Sequence, residues 1–245
     1  MNLGAALAKA GKRVILVDAD IGLRNLDLVL GLEKRIVFDL VEVAEGRCQL
    51  RQALIRDKRF PALWLLPASQ TRDKDAVTEE QFAALVDQAA RAADYVLIDC
   101  PAGIEGGFRN AIAGAAEAIL VTTPEVSAIR DADRVVGKLT DRALPMRLII
   151  NRLRPEMVHS GDMLCVDDVC EVLAVELLGI VPDDEEVIDT TNRGEPLVLD
   201  ETNRLAAVYQ KIARRLEGEI VPFTTFNNGA RQGLFGRLFA GLKAG

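Results

Sequence analysis

The sequence predicts an α/β fold, a three-layer, mostly parallel sheet with helices on both faces. Three observations predict it. Apolar strand-like runs alternate with helical patterns along the chain, the mark of βαβ units. Hydrophobic residues make up 49% of the chain but aromatics only 4%, which favours Ala, Val, Leu and Ile packed between helices and a parallel sheet. With 245 residues, the chain is long enough for one large core.

The elements follow from pattern and punctuation. A helix over Asn2–Ala10 is stopped by Gly11, because glycine ends helices readily. Strands are expected at Val14–Asp18, Leu63–Leu66, Tyr95–Asp99, Ala118–Thr122, Arg147–Asn151 and Leu177–Val181, where short apolar runs meet turn residues. Helices are expected at Thr78–Ala93, Gly107–Ala115, Ser127–Asp141, Val166–Leu173 and Thr202–Glu217. Thr78 and Gln81 form a capping box that fixes one helix start. Pro145 and Pro182 bracket strands and stop neighbouring helices.

Composition excludes several classes. Net charge is −7. Gly229–Gly245 holds Arg231, Arg237 and Lys243 and no acid, so removing those three charges leaves −10 for the rest. Such a body is a poor binder of nucleic acid, which needs clustered Lys and Arg. Cys48, Cys100, Cys165 and Cys170 form no CxxC pair, and the single His159 cannot complete a zinc site of usual spacing. Free thiols in a reducing cytosol are expected. No run approaches the roughly 18 apolar residues of a membrane span, and no signal peptide is expected.

Two strands end in carboxylates. Val14–Val17 leads into Asp18-Ala19-Asp20-Ile21-Gly22. Asp18 and Asp20 would share a face if the strand continued, and diverge where it gives way to Gly22. Such a pair can set a metal and an attacking water beside a phosphate; on spacing alone it can equally cap a following helix. The second strand, Tyr95–Asp99, runs into Cys100-Pro101-Ala102-Gly103. Asp99 there suits a magnesium ion, directly or through water. Ligands bind beyond the carboxyl ends of parallel strands, so the two signals reinforce each other. Asn151 and Arg152 end another strand and can contact a base, by edge pairing and by stacking. Pro182, Asp183 and Asp184 can close the same pocket. Each of these also reads as an ordinary strand-end loop.

The tail has its own pattern. Leu234, Phe235, Leu238, Phe239 and Leu242 fall on a helical stripe about 140° wide, with Arg237 opposite and Lys243 nearby. This fits a helix lying in a membrane interface; docking on the protein's own core is the other reading. Half-burial of five such side chains gives roughly 4–7 kcal/mol gross, much of it offset by ordering the segment. One tail then binds weakly and two tails on a dimer bind far better.

Together these segments resemble the MinD septum-site-determining ATPases of the ParA/MinD group of deviant P-loop NTPases. The matching stretches are Asp18–Asp27, Leu66–Asp75, Asp99–Glu105, Ser160–Met163 and Asn192–Pro196, with the tail matching the family's membrane-targeting helix. The resemblance implies a nucleotide-binding domain over residues 1–221, a flexible linker at 222–232 and a membrane helix at 233–245. It implies ATP and Mg²⁺ as cofactors and a homodimer on anionic lipids at the cytoplasmic face of the inner membrane. MinC and MinE are the implied partners, and no specific nucleic acid is. Asp20 and Asp18 take the catalytic positions, with Asp99 the magnesium partner. Asn151, Arg152, Pro182 and Asp184 meet the adenine, and Asn25 belongs to the switch that partners read. The family's Gly-Lys-Gly-Gly-Val-Gly-Lys-Thr-Thr loop and first strand have no counterpart in this sequence. The chain as written is therefore expected to be inactive on ATP. The alternative expectation is a nucleotide-blind, membrane-associated relative.

Overall fold

Four of the expected strands appear with unchanged ends, and hydrogen bonds divide the strands between two sheets. The computed structural model describes residues 1–73, 75–101, 103, 104 and 106–223. Two compact units result, residues 1–115 with 185–213, and residues 116–184 with the chain from Arg214.

The first unit begins with α1 (Asn2–Lys9) and β1 (Val14–Asp18). Short helices α2 (Leu26–Val29), α3 (Leu40–Ala44) and α4 (Leu50–Ala53) follow, then β2 (Ile55–Arg56) and β3 (Leu63–Leu66). Next come α5 (Glu79–Ala90), β4 (Tyr95–Asp99) and α6 (Gly106–Ala113). The sheet order is β2-β3-β1-β4. β1 is parallel to β3 and β4, and β2 pairs antiparallel with β3. β1 has neighbours on both edges, and all five of its residues are buried, as in a sheet covered on both faces. That is why it reads as an unbroken apolar run. Its core includes Ile15, Val17, Leu66, Phe82 and Leu85, each contributing about 1.5–3 kcal/mol on full burial. Thr78 caps α5 as expected: its Oγ1 accepts from Gln81 N at 3.2 Å and its N–H donates to Gln81 Oε1 at 3.0 Å.

The second unit holds β5 (Ala118–Thr122), α7 (Val126–Asp141), β6 (Met146–Leu153), α8 (Pro155–Ser160), α9 (Val166–Leu173) and β7 (Glu176–Pro182). β5-β6-β7 form a parallel sheet over a core that includes Leu120, Ile129, Leu148, Ile150 and Val169. The chain then returns to the first unit through α10 (Glu186–Asn192) and most of α11 (Arg204–Leu216).

The expected α/β fold with mostly parallel strands is present, and among the described residues the strands pair in two sheets. Apolar runs specify strands, but pairing depends on contacts far apart in sequence. No described helix is long and apolar enough to cross a membrane. The tail residues Leu234, Phe235, Arg237, Leu238, Phe239, Leu242 and Lys243 lie outside the described residues, as do Lys74, Ala102 and Glu105.

Candidate functional site

The strand-end carboxylates of the first unit come together through register. Asp18 and Asp99 are direct partners on parallel β1 and β4, so both side chains leave the sheet on one face. Their surroundings differ. Asp18 is 1% exposed, and both of its oxygens are engaged. Oδ1 accepts from Asp20 N at 3.0 Å and Oδ2 from Leu26 N at 3.1 Å. The carboxylate thereby ties both ends of the loop leading into α2. Burial pushes the Asp18 carboxyl up, the loop amides pull it down and the neighbouring Asp99 charge adds to the rise. Asp99 ends the edge strand and is exposed, while its carbonyl accepts from Ala19 N at 3.0 Å.

Asp20 has left the strand. It lines a small cavity with Ala19, Ile21, Phe82, Pro101, Gly107 and Asn110, so the divergence expected from Gly22 is present. Gly22 has φ +96° and its N–H donates to Ser69 O at 2.8 Å, a conformation that suits glycine. Desolvation, with the charges of Asp99 and Asp20 adding, pushes the Cys100 thiol up to about 12, so both carboxylates act on one spot.

No group of three or more His, Cys, Asp or Glu converges as a metal cluster among the described residues. This donor set suits magnesium, which keeps several waters and takes one or two carboxylates plus phosphate oxygens. Asp99 is the exposed donor of the set.

Asn25 stands at the amino end of α2, exposed and without a side-chain cap bond. Leu23 and Leu28 on either side are 61% and 53% exposed. Just beyond, Arg59 donates to Leu30 O at 2.7 Å, to Gly194 O at 2.6 Å and to both oxygens of buried Asp57. Gly194 lies so close to Gly31 that a Cβ would sit 2.9 Å from its Cα. The Asn192–Pro196 motif is thus a backbone buttress for the segment after Asn25.

The second group lies at the carboxyl ends of β6 and β7 in the other unit. Asn151 is half-buried. Arg152 adopts φ +57° beside a register shift between the strands, a strained conformation of the kind found at functional sites. Its Nε is 3.0 Å from Asp183 Oδ1, and Arg154 Nε donates to Asp183 Oδ2 at 2.6 Å. Hydrogen bonding from Arg152 leads the effects that hold the Asp183 carboxyl below its usual value. Arg152 is therefore engaged by a carboxylate in this structure. Pro182 and Asp184 flank that carboxylate and are half-buried. Sequence reasoning placed Asp183 in a pocket loop without its arginine partners and missed Arg59, Asp57 and Arg154, since each acts through partners that no local pattern announces.

Comparison with known proteins fits this geometry. The family model described as "CobQ/CobB/MinD/ParA nucleotide binding domain" matches residues 1–197. Fold and site thus define a nucleotide-binding domain of the ParA/MinD class. The septum site-determining protein MinD of Synechocystis is 56% identical over 227 residues, 92% of this chain and 85% of that protein. The MinD of the solved MinC:MinD cell division complex from Aquifex aeolicus is 47% identical, with a TM-score of 0.85 over 91% of each chain. MinD of Pyrococcus horikoshii, solved with Mg-ADP, is 29% identical, with a TM-score of 0.79 over 88% of each chain. The chain belongs to the MinD family of septum site-determining proteins.

Proposed function

We propose that the native gene product is an ATP-dependent regulator of division-site choice, with the Gly-Lys-rich loop that the sequence as written lacks. In this reading it dimerises with ATP, binds anionic lipids at the cytoplasmic face of the inner membrane through residues 233–245 and recruits MinC. MinE then stimulates hydrolysis and release. The observation that carries the reading is 56% identity to a septum site-determining relative over 92% of the chain. The solved MinC:MinD relative supports MinC as a partner. Exposed Leu23 and Leu28 beside Asn25 offer a protein partner an apolar surface on that loop.

Each side chain has a stated task. Asp20 orients the attacking water. Asp18 holds the loop that carries Asp20. Asp99 would hold Mg²⁺, directly or through water, and the ion, when bound, neutralises phosphate charge. The relative solved with Mg-ADP supports that pair of ligands. Asn151 and the Pro182–Asp184 loop meet the adenine, and Asp183 fixes the Arg152 turn beside it.

The test uses protein expressed from its native gene. Magnesium-dependent ATP turnover is expected, and Asp20→Ala should lower it by about 100-fold or more while nucleotide binding persists. Pelleting with anionic vesicles should require ATP. Turnover unchanged in Asp20→Ala would overturn the assignment of the water-orienting group. Vesicle binding indifferent to nucleotide, with no turnover, would favour the nucleotide-blind relative.

A further inference from the structure

Past α11 the chain reverses and is fastened in place. Gly218, at φ +86°, lets the amides of Gly218 and Glu219 close the helix on Arg215 O and Arg214 O, both at 3.0 Å. Residues 220–223 then lie back over the Arg215 guanidinium. Its Nε donates to Val221 O at 2.9 Å and its Nη2 to Pro222 O at 2.8 Å. Its Nη1 donates to Leu178 O on β7 at 3.2 Å. The guanidinium carbon sits 4.1 Å from the centre of the Phe223 ring.

This staple stands at the amino ends of the second sheet. Arg147, near the start of β6, pairs with Glu117 just before β5 and reaches Arg215 O at 3.4 Å. Asn151 and Asp183 mark the opposite, carboxyl ends of the same strands. Two large apolar side chains are mounted there without cover, Ile220 at 101% exposure and Phe223 at 41%. Arg215 itself meets carbonyls and a ring, with Glu217 two residues further along the chain. Glu219, four residues past Arg215, is paired with Arg214 at 2.8 Å.

We propose that Ile220 and Phe223, held by Arg215, form a second contact with an anionic lipid surface, one carried by the folded body. The proposal rests on the reading of residues 233–245 as a membrane helix. Three features favour lipid as the occupant. Exposed apolar and aromatic side chains around an arginine held by carbonyls suit the headgroup boundary. The chain continues from Phe223 into a segment with three basic residues and no acidic one after Gly229. Only ten residues separate Phe223 from Leu234 in the sequence, so the two contacts lie close together along the chain. The carboxyl ends of β6 and β7, with Asn151 and Asp183, would then face away from the lipid.

The test places a tryptophan at Ile220→Trp in the full chain and adds vesicles of phosphatidylglycerol and phosphatidylcholine, with and without brominated acyl chains. The expected result is blue-shifted emission, quenched by the brominated lipid, above the signal of the native Trp64. Ile220→Glu should weaken vesicle affinity by about tenfold. Arg215→Lys, which keeps the charge but loses the fork, should lower the quenching while pelleting through the tail persists. Leu238→Glu reports on the tail alone. If vesicles pellet the protein in a Leu238-dependent way but residue 220 stays in water, the body contact is overturned and the tail reading stands. If nothing pellets, both fall together.

Discussion

Arg59→Met tests the clamp behind the Asn25 loop. Arg59 joins three segments distant in sequence through Asp57, Leu30 and Gly194. Methionine keeps the aliphatic stem and removes the fork. Asp57 is 1% exposed, and breaking a buried pair by deleting one partner costs about 3–5 kcal/mol. Two facts reduce that figure. Asp57 keeps its bonds from the amides of Arg59, at 2.7 Å, and Phe60, at 3.3 Å. Arg59 is also 29% exposed, so water replaces part of what is lost. The expected loss is about 2–4 kcal/mol, a large share of a domain's roughly 5–15 kcal/mol. The chain has a single tryptophan, Trp64 on β3, which reports on this unit. Urea unfolding followed by its fluorescence should show a lower midpoint with an unchanged slope. In an Asp57→Asn background the same change should cost at least about 1 kcal/mol less. Burial works against ionised Asp57, but hydrogen bonds and charge from Arg59 hold its carboxyl below the usual value. Its contribution is thus present above the unfolded value near 3.8 and lost as pH falls through the folded one. Arg59→Met should flatten that acid limb. A loss under about 0.5 kcal/mol, or strict additivity with Asp57→Asn, would refute the clamp.

Other outcomes follow from the same geometry. Asp18→Ala should speed hydrogen exchange at the Asp20 and Leu26 amides by about tenfold, because both lose their acceptor; unchanged protection would remove Asp18 from its loop-holding role. Burial raises the Asp18 carboxyl, so its titration favours folding below the unfolded value near 3.8, and that share is lost as pH rises through the folded one. Gly194→Ala combines a left-handed conformation with a 2.9 Å approach to Gly31 and should cost about 1–3 kcal/mol, read in the same unfolding assay. Asp183→Asn should cost under about 1 kcal/mol, since both arginines are largely exposed, yet should weaken adenine nucleotide affinity by about tenfold in titration calorimetry.

What was legible in the sequence was what is buried and local. β1, β3, β4 and β5 read correctly to the residue because a strand ending in a polar turn leaves a bounded apolar run. β2 holds only Ile55 and Arg56 and pairs antiparallel, too short to show a period. α2, α3 and α4 span four or five residues, about one turn each, so no apolar stripe repeats. α5 stops at Ala90, three residues before the expected Ala93, since helix ends fray beyond what periodicity can place. In the site, strand-end carboxylates announced themselves by position. The clamps did not, because Arg59 and Gly194 are 135 residues apart and only the folded chain brings them together.

Sheet order assigns different work to two residues that look alike in sequence. Asp18 and Asp99 each follow four apolar residues and are paired in register. β1 is interior, so its terminal carboxylate is closed over by neighbours and meets backbone amides. β4 has a strand partner on one side only among the described residues, and its terminal carboxylate is exposed. A buried carboxylate with both oxygens engaged shapes a loop, while an exposed one is available to a cation. Asp99→Asn should therefore change stability by less than about 0.5 kcal/mol, the usual range for an exposed position. It should also lift a negative charge from Asp18, one of the causes of that carboxyl's rise. The same variant should lose the magnesium dependence of ADP binding, measured by titration with and without chelator. Magnesium dependence that survives Asp99→Asn and disappears in Asp18→Ala would reverse the two roles and overturn the argument from sheet order.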